Sequence, residues 1–228
     1  MSSPAILTAN PLPLRGAHVG ACLFLIAVGL MSFVGGLFTD PSTTWRAYHV
    51  NFIYFAGLSQ AGVVLASALV IVGAKWSGPL RHIAEGLSAW VPITLVLCIV
   101  GYAGSEYIFE PWIHGAPHGK EGWLTLGRVY TTDVGILAFC TFLTLAFLKA
   151  SVRPTLKNAA ERAPARTKDF FENWAKDWKG DEEEAEASRK RLRVLAPIIA
   201  LTYAFGYTLI AFDQVMSLQP TFFSNIFG

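Results

Sequence analysis

One carboxylate of this chain lies where an ionisable group is costly, at the edge of a long apolar run. The run Val134–Leu148 is too short to cross a bilayer alone, so a membrane helix here must begin earlier and draw Asp133 below the surface. An ionisable residue at the centre of a membrane span costs about 2.5–3.5 kcal/mol on insertion scales and usually serves a function. We therefore predict that Asp133 takes up and releases a proton.

Other ionisable side chains fall at the ends of neighbouring apolar stretches. Glu106 and Glu110 close one stretch, and Asp213 closes another. Arg46 and His49 stand where a further stretch opens, and histidine changes its charge near neutral pH. If the helices form a bundle, these groups share one membrane level with Asp133. The alternative is that charged residues at helix ends simply reach out to water.

Polar side chains deeper in the stretches are few. Gln60 lies near the middle of its stretch and needs a hydrogen-bond partner away from lipid. Such groups can support a chain of waters that carries protons, or they can hold helices together. The predicted proton-pathway residues are Asp133, Glu106, His49, Asp213, Tyr130, Arg46, Gln60, Thr141 and Thr144.

The apolar stretches themselves are long enough to position these residues in a membrane. A transmembrane helix needs roughly 20 mostly apolar residues, and five stretches meet that length. The composition agrees, with 53% hydrophobic and 15% charged residues and a mean hydropathy of +0.44. The sequence predicts an all-α integral membrane protein with five spans, which are His18–Phe38, Val50–Ala74, Leu87–Phe109, Val129–Val152 and Val194–Phe212.

The lysines and arginines are divided unequally between the two membrane faces. Fifteen of the 18 lie in the N-terminal segment, the second-to-third loop and the fourth-to-fifth loop, and three lie on the opposite face. Positive charge stays on the cytoplasmic side, so we expect an internal N-terminus and an external C-terminus. The chain then divides into residues 1–17, 18–152, 153–193, 194–213 and 214–228. The first stretch lacks a signal-peptide cleavage pattern and is expected to remain.

The loop of residues 153–193 is the largest predicted water-exposed segment. Its eleven basic and nine acidic residues are nearly balanced, which argues against a nucleic-acid arm. Four aromatic residues recur at helical spacing between charged ones, as in an amphipathic helix that lies at a membrane interface or docks a partner protein. Asp181 with Glu184 predicts the start of a further helix. The aromatic residues are Phe170, Phe171, Trp174 and Trp178.

The sequence offers few ligands for a metal or haem. Cys22, Cys98 and Cys140 are scattered, without a Cys-x-x-Cys pair. Membrane haem b is commonly held by buried histidines, and no histidine pair falls in the middle of a span. We expect no redox cofactor bound by this chain. The histidines are His18, His49, His82, His114 and His118.

The C-terminal segment carries a family resemblance. The run from Phe212 to Pro220, with its Phe-Asp-x-x-Met-Ser-Leu-x-Pro pattern, resembles the segment after the fifth helix of the larger NrfD-like membrane subunit of alternative complex III. That complex is a bacterial quinol:cytochrome c oxidoreductase, and the family is related to the polysulfide-reductase membrane subunit. Supporting similarity lies in Phe205–Tyr207, Phe223–Gly228, Tyr107–Trp112 and Arg128–Asp133.

The resemblance covers nearly all of this chain and about half of the family's long subunit. It implies a peripheral first helix followed by a four-helix bundle. We hypothesise that this chain is a split or shortened version of the subunit and that a separate multi-helix chain supplies the second bundle. Gln219 stands where the family usually has an acidic residue, so a role for that carboxylate is not carried over.

The resemblance also implies a function and a location. Electrons pass from quinol to iron–sulfur clusters and c-type haems held by partner subunits, in the bacterial cytoplasmic membrane, with the N-terminus cytoplasmic and the C-terminus periplasmic. The NrfD-like chain conducts protons, or it binds quinol near His49 and Asp133, where a proton acceptor is needed. A scaffold or channel component without a redox link is the third interpretation.

Overall fold

The computed structural model describes residues 16–74, 76–162, 168–169, 172–173 and 176–221. Within these ranges the chain is helical and contains no β-strand. The predicted N-terminal segment up to residue 15, Lys75, the aromatic residues Phe170, Phe171 and Trp174, and the end of the chain from residue 222 lie outside the described residues.

Five helical segments are long and apolar enough to cross a membrane, which confirms the predicted all-α membrane fold. They are Gly16–Thr39, Pro41–Ile71, Gly78–Ile108, Leu126–Thr155 and Asp181–Leu218. The α-helices of the described ranges are α1 Gly16–Thr39, α2 Pro41–Ile71, α3 Gly78–Ser88, α4 Val91–Gly101, α5 Ser105–Ile108, α6 Glu110–Ile113, α7 Leu126–Val152, α8 Leu156–Arg162 and α9 Asp181–Gln214.

Three of the five spanning segments begin nine or more residues before the predicted apolar stretches, at Pro41, Gly78 and Asp181. The N-terminus of α2 is capped by Asp40, whose carboxylate accepts a hydrogen bond from the Thr43 backbone N–H at 3.1 Å. Arg46 and His49 therefore lie inside α2. Helix α9 begins at Asp181, with Gly180 rather than Asp181 at the N-cap position, and continues unbroken into the fifth span. The charged start and the apolar remainder form one helix, so the predicted division at residue 193 falls within α9 and stays a prediction of where that helix enters the membrane.

The first helix lies at the periphery of a four-helix bundle. No residue of α1 is buried, and it contacts α2 through Phe33, whose ring lies edge-on to Trp45 with centroids 5.3 Å apart. The bundle is formed by α2, α3 to α5, α7 and α9. One apolar core surrounds Phe109 and Leu137, and a second surrounds Val63 and Phe147 towards the opposite end.

Small residues set the distance between α2 and α3. Gly62 is buried, and a Cβ added there would lie 2.5 Å from the backbone oxygen of Ala84. We expect Gly62→Ala to lower the thermal unfolding midpoint of the detergent-solubilised protein, because a backbone oxygen cannot move without shifting α3. Gly57→Ala, on the same helix with open space around it, is the control. Equal midpoints for the two variants would contradict this close packing.

Candidate functional site

Asp133 is fully buried on α7, as the length of its apolar run predicts. Its Oδ2 accepts a hydrogen bond from Gln214 Nε2 at 2.6 Å. Its Oδ1 is buried and has no hydrogen-bond partner among the described residues. No lysine, arginine or histidine of the described ranges lies within ion-pair distance. Asp133 is therefore a buried carboxyl group with one fixed oxygen and one oxygen left for proton exchange.

His49 is also buried, with 5% of its surface exposed. Its Nε2 donates a hydrogen bond to the backbone oxygen of Gln214 at 2.7 Å. Because a carbonyl oxygen only accepts, Nε2 carries hydrogen and Nδ1 is left for a second interaction. The Gln214 oxygen is open to this contact because the last carbonyls of a helix have no partner within it. Phe109 packs edge-on against the imidazole, with ring centroids 5.8 Å apart.

Gln214 joins these two titratable groups. It was not among the site residues predicted from the sequence. It is buried at the end of α9, where its backbone contacts α2 and its side chain contacts α7. We call His49, Asp133 and Gln214 the relay site. One feature of the sequence could have indicated a role for Gln214: it follows Asp213 directly, inside the motif that carries the family resemblance.

Asp213 lies near the relay site in sequence but has different partners. It is fully buried, and Arg128 donates to both of its oxygens, at 2.8 Å from Nη1 to Oδ2 and 2.6 Å from Nη2 to Oδ1. Trp123 Nε1 donates to Oδ1 at 3.1 Å, and the Arg128 guanidinium lies 4.1 Å from the centre of the Trp123 ring. A carboxylate occupied by a bidentate arginine suits a structural ion pair better than a proton relay.

The remaining predicted groups at this level are more exposed. Arg46 pairs with Glu110 and donates from Nε to the Tyr107 backbone oxygen at 3.4 Å, and both side chains of the pair are more than half exposed. Glu106 is exposed and forms no ion pair or hydrogen bond with the described residues. Tyr130 is buried and stacks edge-on with Tyr102. The structure therefore separates a buried relay site from an exposed charged rim.

Gln60, Ser67, Thr141 and Thr144 form no side-chain hydrogen bond to another helix within the described residues. Gln60 Oε1 and Thr144 Oγ1 are buried without a hydrogen-bond partner among the described residues, and so is Ser67 Oγ. Thr141 Oγ1 donates to the Leu137 backbone oxygen of its own helix at 2.7 Å. Buried polar atoms normally have a partner, from protein or from ordered water. These oxygens are therefore open to a hydrogen bond from water, as the water-supporting role requires.

No group of three or more metal-ligating side chains occurs in the part of the chain that the structure describes. Its three cysteines are unpaired thiols, and Cys98 and Cys140 are buried. The chain matches no protein-family profile, no curated protein and no solved structure.

Proposed function

We propose that this chain is a proton-handling membrane subunit of a quinol:cytochrome c oxidoreductase complex, in a respiratory or photosynthetic chain of a bacterial cytoplasmic membrane. The observation that carries the proposal is the relay site, in which two buried titratable groups contact one residue between three membrane helices. The resemblance of Phe212–Pro220 to the NrfD-like family supports the choice of complex.

Hydrogen bonds to Gln214 determine which atoms of the relay site can exchange protons. Gln214 holds Oδ2 of Asp133 and Nε2 of His49, and leaves Oδ1 and Nδ1 for proton exchange. An amide is a poor proton carrier, because it titrates far from neutral pH. Gln214 is therefore a positioning residue, whereas Asp133 and His49 take up and release the protons that quinol oxidation produces.

Electrons follow a different route in this proposal. By the resemblance, quinol is the substrate of the whole complex, while iron–sulfur clusters and c-type haems belong to partner subunits. This chain then binds no redox cofactor of its own, and a second NrfD-like or other multi-helix chain lies beside it. The proton-rich side is the periplasmic face, where we place the relay site and the C-terminus because of the distribution of basic residues.

The closest alternative function is quinol binding at the relay site. Such binding requires a cavity that His49 or Asp133 lines. An apolar cavity of about 420 Å³ lies between α2 and the junction of α3 and α4, but neither His49 nor Asp133 lines it. A quinol in this cavity would lack the nearby acid–base pair that oxidation requires. The residues lining it are Phe55, Leu58, Ser59, Gly86, Leu87, Ala89, Trp90 and Ile93.

A scaffold without a redox link is the other alternative. A buried polar atom without a hydrogen bond costs about 1–3 kcal/mol. Asp133 Oδ1, Gln60 Oε1 and Thr144 Oγ1 are all in this condition within the described ranges. Waters bound to these atoms would remove that cost and would also form the chain of waters that proton transfer needs, which supports the proton-handling function over a scaffold.

The test uses membranes from a strain of the source organism in which the gene for this chain has been deleted. We expect quinol-driven reduction of c-type cytochrome to fall to background and to return when the chain is restored from a plasmid. Unchanged reduction after deletion would contradict membership of a quinol-oxidising complex.

A further inference from the structure

A basic cavity lies where the end of α2 and the start of α3 meet the side of α9, away from the relay site. Its volume is about 160 Å³, and Arg81, Arg189 and Arg193 line it. We call it the arginine pocket. It plays no part in the proton chemistry proposed above, and its ligand is inferred independently of that function.

The backbone around the arginine pocket is held by a tight helix ending. Gly73 adopts a φ of 64°, and its N–H donates to the Val70 oxygen at 3.2 Å, while the Ala74 N–H donates to the Leu69 oxygen at 3.0 Å. This left-handed position ends α2 and returns the chain to Ser77, the N-cap of α3. Ser77 lines the pocket, so the positive end of the α3 dipole lies beside it.

One arginine of the pocket is anchored by neighbouring side chains. Arg81 donates to Ser151 Oγ at 3.2 Å and lies 3.0 Å from Glu85 Oε1, a buried carboxylate that also accepts from Ser151 at 2.6 Å. His82 lies 3.1 Å from the other Glu85 oxygen. Glu85 therefore balances the charge of Arg81 and fixes its position.

The other two arginines have no such balance. Arg189 and Arg193 lie one turn apart on α9 and are exposed, and neither forms an ion pair with a described residue. Nearby Lys190 pairs instead with Glu186 at 2.9 Å. Glu186 also interacts electrostatically with Arg189, but no carboxylate lies within ion-pair distance of either arginine in the described ranges, so both guanidinium groups keep free donors for the oxygens of a phosphate.

We propose that the arginine pocket binds the phosphate of an anionic phospholipid. Helix α2 ends and α3 begins at this cavity, α9 runs past it, and basic pockets between transmembrane helices recognise anionic headgroups. Exposed apolar side chains adjoin its lining residues in sequence and provide a surface for acyl chains: Val72 and Trp76 beside Gly73 and Ser77, and Val194 beside Arg193. A free phosphate has no apolar part to contact this border, whereas the acyl chains of a lipid do. The occupant is therefore a lipid.

The test counts lipids bound to the purified full chain in neutral detergent by native mass spectrometry, with phosphatidylglycerol or phosphatidylcholine added. The test variant is Arg189→Gln/Arg193→Gln. The control is Lys190→Gln/Arg191→Gln, which removes the same charge from the same helix outside the pocket lining. A variant pair that does not elute as a monodisperse peak is replaced by Arg193→Gln against Arg191→Gln. A third arm adds inorganic phosphate without lipid and follows the thermal midpoint.

We expect the wild type and control to retain phosphatidylglycerol in preference to phosphatidylcholine, and the test variant to retain about tenfold less. Equal losses in test and control variants would overturn a defined site, because they would show only general attraction to charge. Equal retention of both lipids would also overturn it. Stabilisation of the wild type by inorganic phosphate, without retained phosphatidylglycerol, would show a free-anion site and contradict the lipid.

Discussion

Replacement of Asp133 by asparagine is expected to reduce quinol-driven proton release by the complex about 100-fold, within the range that a positioned acid–base group contributes. Asparagine has nearly the same shape, and its side-chain oxygen still accepts the hydrogen bond from Gln214 Nε2. It has no titratable proton to release. A pH-sensitive dye outside proteoliposomes, after a pulse of quinol with cytochrome c present, measures the effect.

Glu106→Gln is the matched control for this experiment. It makes the same carboxylate-to-amide change at the same end of the bundle, but Glu106 is exposed and lies outside the relay site. Glu106 is among the proton-pathway residues predicted from the sequence, but because it is exposed and lies outside the relay site, we expect proton release by this variant to match the wild type. An Asp133→Asn complex that releases protons at the wild-type rate would remove Asp133 from the pathway.

Replacement of Arg128 by glutamine is expected to destabilise the protein by about 3–5 kcal/mol, the range for removing one partner of a buried ion pair. Arg128 retains 23% exposure of its side chain, but Asp213 is fully buried and would be left without its cation. The free energy of unfolding in detergent, from denaturant titration followed by tryptophan fluorescence, measures this loss.

Two further variants separate the buried ion pair from charge alone. Arg128→Gln/Asp213→Asn removes both charges and is expected to recover much of the lost stability, because no unpaired charge stays buried. Arg46→Gln breaks the exposed pair with Glu110 and is expected to change stability by less than about 1 kcal/mol. Equal destabilisation by Arg46→Gln and Arg128→Gln would contradict the distinction between the two pairs.

The membrane helices could be predicted from the sequence because the length of an apolar run is read directly from consecutive residues. The sequence could not define their ends equally well. Helix α9 starts at Asp181, and its first turns are charged. Hydropathy detects only the apolar part of a helix, so it could not show that these turns belong to the same helix. The start of α2 depends similarly on the Asp40 cap, which is polar and lies outside the apolar stretch.

The relay site was predictable only in part. The buried position of Asp133 follows from the short run after it, so the sequence was sufficient for that residue. The contact of Gln214 with Asp133, and the pairing of Arg128 with Asp213, depend on how α7 and α9 are rotated and aligned. Neighbouring residues of a helix point about 100° apart, so Asp213 and Gln214 face different partners. Hydropathy alone does not define that rotation.

The most direct test of the proposed function is purification of this chain from native membranes in mild detergent, with optical spectra and mass analysis of the associated subunits. We expect a complex that contains c-type haem, iron–sulfur proteins and a second multi-helix membrane chain. Recovery of the chain alone, or with partners that carry no redox centre, would contradict it.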